Sequence, residues 1–332
     1  MQTYISTFTT GFEDIIEEEL VSRLPNAKVI KVYKGLVHYT FAGNYNLIKK
    51  VFFLNNTFSV LSIFKGKNLT YDYMVKNVGK QKNRFLINKG TFRVRFSREN
   101  QFSKVDKNII NNAEKKVVES SNLRVDRVNP STEVWYILRS EDIGFYCQLL
   151  YKRIITEKEL HKGELRPEFA YLMCCYAKLT KESVVCDPFC GYGSIPKQIA
   201  RCYKVKKIIA SDIDESKIAY VKEGNFASKF NVDVKVADAV NLKHIDDASI
   251  DAIITDPPWG YYEQITNIVN FYISSLAELK RITKKEGVLV ILSARKDEFI
   301  EACSHNDLKI SKQINTLVNG KKAAVFVVCN AD

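Results

Sequence analysis

The chain has no Cys-x-x-Cys pair, and its four histidines (His38, His161, His244, His305) are scattered, so the sequence offers no ligand set for zinc or an iron–sulfur cluster. It also lacks any run of about 18 apolar residues, which argues against a membrane-spanning helix. With 14 Gly and 7 Pro and no period among them, collagen-like and low-complexity character are excluded. The first residues run from Met1-Gln-Thr-Tyr into Glu13-Asp14 and Glu17-Glu18-Glu19. They have neither the basic-then-apolar order of a signal peptide nor the acid-poor composition of a transit peptide. The expectation is a soluble, cytoplasmic protein with no membrane contact.

What is present is a chain of 332 residues with 46% apolar and 27% charged side chains. That is enough apolar surface for real cores and more chain than one core usually holds, so two or three domains are expected. Its eight cysteines, several in runs such as Val184-Val185-Cys186 and Val327-Val328-Cys329, read as small buried hydrophobes in a reducing compartment. The net charge of +12 is uneven: 27 of the 50 basic and 17 of the 38 acidic residues lie in 1–165, a net +10, leaving +2 for the rest. A basic front half suits a polyanion, most commonly nucleic acid, or simply solubility.

Residues 2–9 alternate like a strand, and 12–24 carry apolar positions at helical spacing. Strands at 28–33 and 36–41 and a helix-then-strand segment at 44–64 complete a β-α-β-β-α-β order, which fits a ferredoxin-like unit. The stretch 65–90 is basic and polar. Thr91-Phe-Arg-Val-Arg-Phe-Ser97 then alternates so as to put Arg93 and Arg95 on one face, followed by a helix over about 105–120 and strands at 133–139 and 145–151. The charged, turn-rich segment 153–166 reads as a linker. Beyond it, with Pro167 suited to a helix's first turn, strands at 184–186, 207–211, 232–236, 250–254 and 288–292 alternate with helices at 195–203, 215–229 and 264–283. A β-rich tail covers 308–329. Such alternation predicts a parallel, doubly wound α/β sheet closed by an antiparallel pair.

Four motifs follow the strands of this second half. Asp187-Pro-Phe-Cys-Gly191-Tyr-Gly193-Ser-Ile-Pro196 lies between a strand and a helix, where two glycines let the backbone turn tightly beside a ligand. Pro196 replaces the third glycine of a dinucleotide fingerprint, so a nicotinamide site fits worst, and a purely structural turn stays open. Asp212 ends the next strand, 19 residues past Gly193, where a carboxylate can accept both hydroxyls of a ribose. Asp214 is a natural helix N-cap. Asp238, after the strand at 232–236, can accept from an adenine amino group or can be a turn residue. Last, Asp256-Pro257-Pro258-Trp259 follows Ile253-Ile254-Thr255. Its two prolines fix the backbone and remove two donors, leaving a carboxylate and carbonyls beside an aromatic face, a set suited to a planar base bearing an NH2 group.

Asp187-Pro-Phe-Cys-Gly-Tyr-Gly-Ser-Ile, Asp212, Asp238 and Asp256-Pro-Pro-Trp together resemble the class I S-adenosylmethionine-dependent methyltransferases that modify exocyclic amines. Thr7-Phe-Thr-Thr-Gly11-Phe-Glu13-Asp-Ile-Ile-Glu-Glu-Glu19-Leu20 is similar to the opening of THUMP-containing RNA methyltransferases. Phe92-Arg-Val-Arg-Phe-Ser-Arg-Glu-Asn-Gln-Phe-Ser103 resembles their THUMP core strand, and Leu165-Arg166-Pro167 the start of their catalytic domain. The resemblance implies a ferredoxin-like domain (1–64), a THUMP RNA-binding domain (65–152), a linker (153–166) and a Rossmann-like methyltransferase domain (167–332). It implies S-adenosyl-L-methionine held by Asp187, Pro188, Phe189, Gly191, Gly193, Asp212, Ile213, Asp238, Ala239 and Asp256. It gives catalysis to Asp256, Pro257, Pro258 and Trp259, and phosphate contacts to Lys65, Lys80, Lys82, Arg84, Arg93, Arg95, Arg98 and Lys104. The implied reaction makes N2-methylguanosine in transfer RNA, with a small activating protein as a candidate partner. Methylation of guanine N2 in ribosomal RNA, of adenine N6, and a non-catalytic RNA-binding subunit are the alternatives. Two departures stand out: Glu168 occupies a position where relatives often carry a small hydroxyl residue, and Trp259 one where Tyr or Phe is commoner.

Overall fold

The computed structural model describes residues 1–79, 85–153, 160–224, 230–260 and 265–331, which form two compact units. The first comprises Met1–Phe8 and Ile16–Ile154, the second Thr9–Ile15 and Ile155–Asp332.

The first unit is built on one nine-stranded sheet. Its strands are β1 (Gln2–Thr7), β2 (Lys28–Tyr33), β3 (Leu36–Phe41), β4 (Asn56–Lys65), β5 (Thr91–Arg98), β6 (Gln101–Phe102), β7 (Arg124–Val125), β8 (Thr132–Arg139) and β9 (Ile143–Lys152). Their order is β2-β3-β1-β4-β9-β8-β5-β6, with β7 beside β5. β4 and β9 pair antiparallel along their length, from Asn56 opposite Lys152 to Lys65 opposite Ile143. The boundary expected between 64 and 65 therefore falls inside a strand of a continuous sheet, because backbone pairing carries the ladder across it. In the segment 44–64 the expected helix is a single 3-10 stretch, Tyr45–Lys50, capped by the Asn44 side chain. Helices α2 (Tyr71–Asn77) and α3 (Lys107–Ser120) cover one face, packing Met74, Val75, Ala113 and Val117 on Phe92, Phe96, Tyr136 and Tyr146. Helix α1 (Ile16–Arg23) turns Ile16 and Leu20 inward and starts four residues later than its periodicity predicts.

The reason for that late start is that 9–15 is committed elsewhere. The Thr10 carbonyl accepts from Thr316 Oγ1 at 2.8 Å, Asp14 takes a hydrogen bond from Tyr176 at 2.7 Å and an ion pair from Lys312, and Phe12 packs edge-on against Phe169. Gly11 sits at φ +104°, and a Cβ there would collide with the carbonyl oxygen of Asn315. Gly11→Ala should therefore destabilise the protein by about 1–3 kcal/mol, read as a lowered urea midpoint with an unchanged m-value.

The second unit's sheet has seven strands: β10 (Val184–Asp187), β11 (Lys207–Asp212), β12 (Val232–Val236), β13 (Ile250–Thr255), β14 (Thr283–Ser293), β15 (Leu308–Val318) and β16 (Lys321–Asn330). The order is β12-β11-β10-β13-β14-β16-β15. The first five run parallel, and β16 enters antiparallel between β14 and β15. Among the described residues, helices α4 (Pro167–Cys175), α5 (Ser194–Cys202), α6 (Glu215–Glu223), α7 (Ile268–Ile282) and α8 (Lys296–His305) accompany it, and the part of the helix expected at 215–229 that covers 225–229 lies outside them. The expected doubly wound sheet with an antiparallel closing pair is thus observed. The near-continuous apolar runs of β13 and β14 are buried on both faces, as parallel strands require, with Tyr272, Leu276, Phe299 and Phe326 in the core beside them. All eight cysteines are free, five of them buried, and among the described residues no helix is long and apolar enough to cross a membrane.

Candidate functional site

A parallel sheet delivers the carboxyl ends of its strands to one edge, and a crevice opens where the order reverses, here between the neighbouring strands β10 and β13. A cavity of about 420 Å³ lies there, within the range that holds a small-molecule ligand. It is lined by Asp187, Pro188, Phe189 and Gly191 at the end of β10 and beyond, Asp212 and Ile213 at the end of β11, Asp238 and Ala239 after β12, and Asp256, Pro257, Pro258 and Trp259 after β13. The four motifs, 69 residues apart in sequence at their extremes (Asp187 to Asp256), share one wall.

Asp187, Asp212 and Asp238 are each held by identifiable partners. Asp212 is 7% exposed, and its Oδ2 accepts from the Gly191 amide at 2.9 Å while Oδ1 accepts from the Asp214 amide at 3.0 Å. It organises the glycine loop before any ligand arrives. Asp214 caps α6 through the amides of Ser216 and Lys217, as its position predicts. Asp238 closes its own turn, accepting from the Val240 amide at 3.1 Å. Gly193 lines no part of the cavity. Its φ of +82° makes it the N-cap of α5, a turn in the left-handed region, with Val221 close to where a side chain would be.

Asp187 is fully enclosed. Its Oδ1 accepts from Thr255 Oγ1 at 2.7 Å, tying the end of β10 to the residue before Asp256. Burial raises its carboxyl to about 7, with the Asp212 charge adding to the rise and hydrogen bonds from Thr255 and the Phe189 amide opposing it. Since the unfolded group titrates near 3.8, the folded state holds the extra proton between these values. Stability from this carboxyl is fully present below about pH 4 and is lost as pH rises through about 7, a change of roughly 4 kcal/mol. Asp187→Asn should flatten that slope, narrowing the difference between melting temperatures at pH 5 and pH 8 in the ligand-free protein.

Within the expected linker 153–166, Lys162, Gly163, Glu164 and Leu165 line the cavity, and 154–159 lie outside the described residues. Glu164 accepts from Ser194 Oγ at 3.2 Å and from the His161 amide at 3.1 Å, and the His161 ring stacks on Tyr192 at 4.0 Å. The Ser194–Glu164 and His161–Tyr192 contacts join residues about 30 positions apart, and no spacing rule announces them. The turn between β15 and β16 adds Val318, Asn319 and Lys321 to the lining. Its Asn319-Gly320 dipeptide is a hairpin signal that marks a turn without saying what the turn overhangs. Glu168 is buried and ion-paired with Arg166 rather than lining the cavity. Among the described residues there is no group of three or more His, Cys, Asp or Glu able to hold a metal ion.

The basic residues expected to meet phosphates belong to the first unit. Lys65, Arg98 and Lys104 are exposed, whereas Lys80, Lys82 and Arg84 lie outside the described residues. Arg93 and Arg95 do share a face, but Glu133, opposite Arg93 in the parallel β5–β8 ladder, bonds Arg93 Nε at 2.6 Å and lies 3.7 Å from Arg95 Nε. Their charge is thereby partly offset. Glu133 also accepts from the Trp135 indole, and the Arg95 guanidinium lies over the exposed Phe102 ring.

Comparison with known proteins agrees with this construction. Residues 156–324 match the family model described as RMKL-like, methyltransferase domain. Over 152 residues the chain is 28% identical to a probable tRNA (guanine(10)-N2)-dimethyltransferase of Methanothermococcus thermolithotrophicus, covering 43% of this chain and 90% of that protein. It is 29% identical over 149 residues to the tRNA (guanine(10)-N2)-dimethyltransferase of Methanocaldococcus jannaschii, and 24% over 171 residues to the U6 snRNA (guanine-N(2))-methyltransferase THUMPD2 of Bos taurus. It spans only 41% and 33% of the length of those two. Among solved structures, TrmN from Thermus thermophilus shares the fold at a TM-score of 0.81, with 20% identity over 99% of this chain and 100% of that one.

Proposed function

The chain belongs to the RMKL-like methyltransferase-domain family, and on that premise we propose that it transfers a methyl group from S-adenosyl-L-methionine to the exocyclic N2 amine of a guanosine in transfer RNA. The observation that carries the reading is the Asp256-Pro-Pro-Trp loop on the same cavity wall as the glycine loop, Asp212 and Asp238. The curated relatives named above as guanine-N2 methyltransferases support the choice of amine.

The residues fit the cofactor. Asp212, already fixed by two backbone amides, keeps oxygen lone pairs for ribose hydroxyls, Asp238 suits the adenine amine, and the Gly191 loop suits the methionine end. When bound, S-adenosylmethionine supplies an electrophilic sulfonium methyl. The chain's own task is the nucleophile. A guanine amine is weak because its lone pair is delocalised into the ring. Acceptance of its hydrogens by the Asp256 carboxylate and the Pro257 carbonyl would turn it out of conjugation, with Trp259 stacking on the base. Rate would come from positioning and electrostatics within a water-poor cavity. In folded RNA the base would be flipped out at a cost of a few kcal/mol, offset by basic contacts of the first unit.

The test is incubation of tritiated S-adenosylmethionine with bulk transfer RNA, ribosomal RNA and DNA, followed by nucleoside chromatography. Label in N2-methylguanosine from transfer RNA supports the reading. Label in ribosomal RNA reassigns the substrate, and label in N6-methyladenosine reassigns the amine.

A further inference from the structure

Two prolines give the Asp256–Gly260 loop a fixed path but strip it of two amide donors, so the surrounding protein can grip this stretch through its carbonyls. It does so from behind the cavity. Tyr272 on α7, 1% exposed, donates its hydroxyl proton to the Pro258 carbonyl at 3.0 Å. With that single proton spent, the buried Ser293 at the end of β14, 3.1 Å away, must donate to the phenol oxygen. Ser293 Oγ in turn accepts the Arg295 amide at 3.0 Å, and Arg295 Nε donates to the Trp259 carbonyl, also at 3.0 Å. Glu298 steadies the guanidinium at 3.6 Å. Burial, reinforced by the Asp256 and Glu298 carboxylates and opposed by Ser293 and Arg295, keeps the Tyr272 phenol protonated and therefore a donor. A chain of hydrogen bonds of this kind polarises along its length and holds a geometry better than isolated bonds do. None of the three side chains lines the cavity.

We propose that Tyr272, Ser293 and Arg295 are positioning residues that set the aim of the target amine: by holding the carbonyls of Pro258 and Trp259 they fix the path of the loop that presents Asp256 and Pro257 to the cavity. The inference rests on the methyltransferase reading above and assigns that site its aiming device. Reacting atoms tolerate little displacement, and a shift of about 1 Å costs about 100-fold in rate.

The decisive variant is Tyr272→Phe, which deletes the donor and keeps the ring packed edge-on against Phe299 at 5.8 Å. Turnover on transfer RNA should fall about 30-fold, while the dissociation constant of S-adenosylhomocysteine stays within about 3-fold. Ser293→Ala, which spares the Tyr272–Pro258 bond, should lose only a few-fold. A second readout needs no turnover: in a Trp135→Phe background Trp259 is the remaining tryptophan, and its quenching by acrylamide should rise in Tyr272→Phe. Unchanged turnover in Tyr272→Phe beside an active parent overturns the proposal. So does a loss of cofactor affinity in step with turnover, which would mark a merely structural role. A parent that methylates no RNA overturns the methyltransferase reading itself, and the aiming role falls with it.

Discussion

Asp256→Ala should reduce methyl transfer about 100- to 1,000-fold while S-adenosylhomocysteine still binds, because the carboxylate's work falls on the amine in the transition state. Removing it leaves a Pro257 carbonyl with no partner acceptor to orient the second amine hydrogen. Asp256→Asn keeps one acceptor oxygen and should lose less, about 10-fold. The check is single-turnover kinetics on transfer RNA beside calorimetric titration of the cofactor product. A variant that loses both together would mean that Asp256 serves the cofactor and that the amine is aimed by something else.

The second large effect is expected at Asp212. Its two carboxylate oxygens hold the amides of Gly191 and Asp214 at 2.9 and 3.0 Å, and bonds to a charged acceptor are worth about 1.5–3 kcal/mol each. Asp212→Ala therefore removes the ribose acceptor and lets the glycine loop relax in the same step. Cofactor affinity should fall about 100-fold or more, with about 2–3 kcal/mol of stability lost even in the empty protein. Asp238→Ala, whose carboxylate closes only its own turn, should cost affinity with little stability. Isothermal titration and chemical denaturation of the two variants side by side separate these roles. Equal stability losses would show that the Asp212–Gly191 bond does not organise the loop.

These expectations trace to residues that were legible in the chain and to others that were not. The acids at 187, 212, 238 and 256 could be picked out because each stands at or just past the end of a strand-like segment, and a strand that ends in a ligand-type residue is recognisable one at a time. Even Asp214 could be given its cap from local pattern alone, and the structure places it there. Gly193 shows the limit of such reading. Two glycines in one loop look equivalent, yet one lines the cavity and the other caps a helix at φ +82°, a difference made by Val221 from another element. The helix predicted from residue 12 begins at 16 because Tyr176, Lys312 and Thr316 compete for that segment, and none of them is visible within a local window. Arg93 and Arg95 share one face, as the alternation of their strand predicts, but the carboxylate that partly offsets them comes from a strand 40 residues on.

By itself, then, the sequence determined the alternation of strands and helices, the parallel sheet, and the chemistry standing at the ends of its strands, because these follow from periodicity and from residue types over a few positions. Tertiary structure decided what completes the cavity: the wall at 162–165, the overhanging turn at 318–321, the Asp187–Thr255 bond, and the Tyr272–Ser293–Arg295 chain behind the loop. The physical reason is range. Backbone periodicity is a property of neighbouring residues, whereas a hydrogen bond from a side chain to a group 14 or 68 positions away exists only once the fold has brought its two ends to about 3 Å.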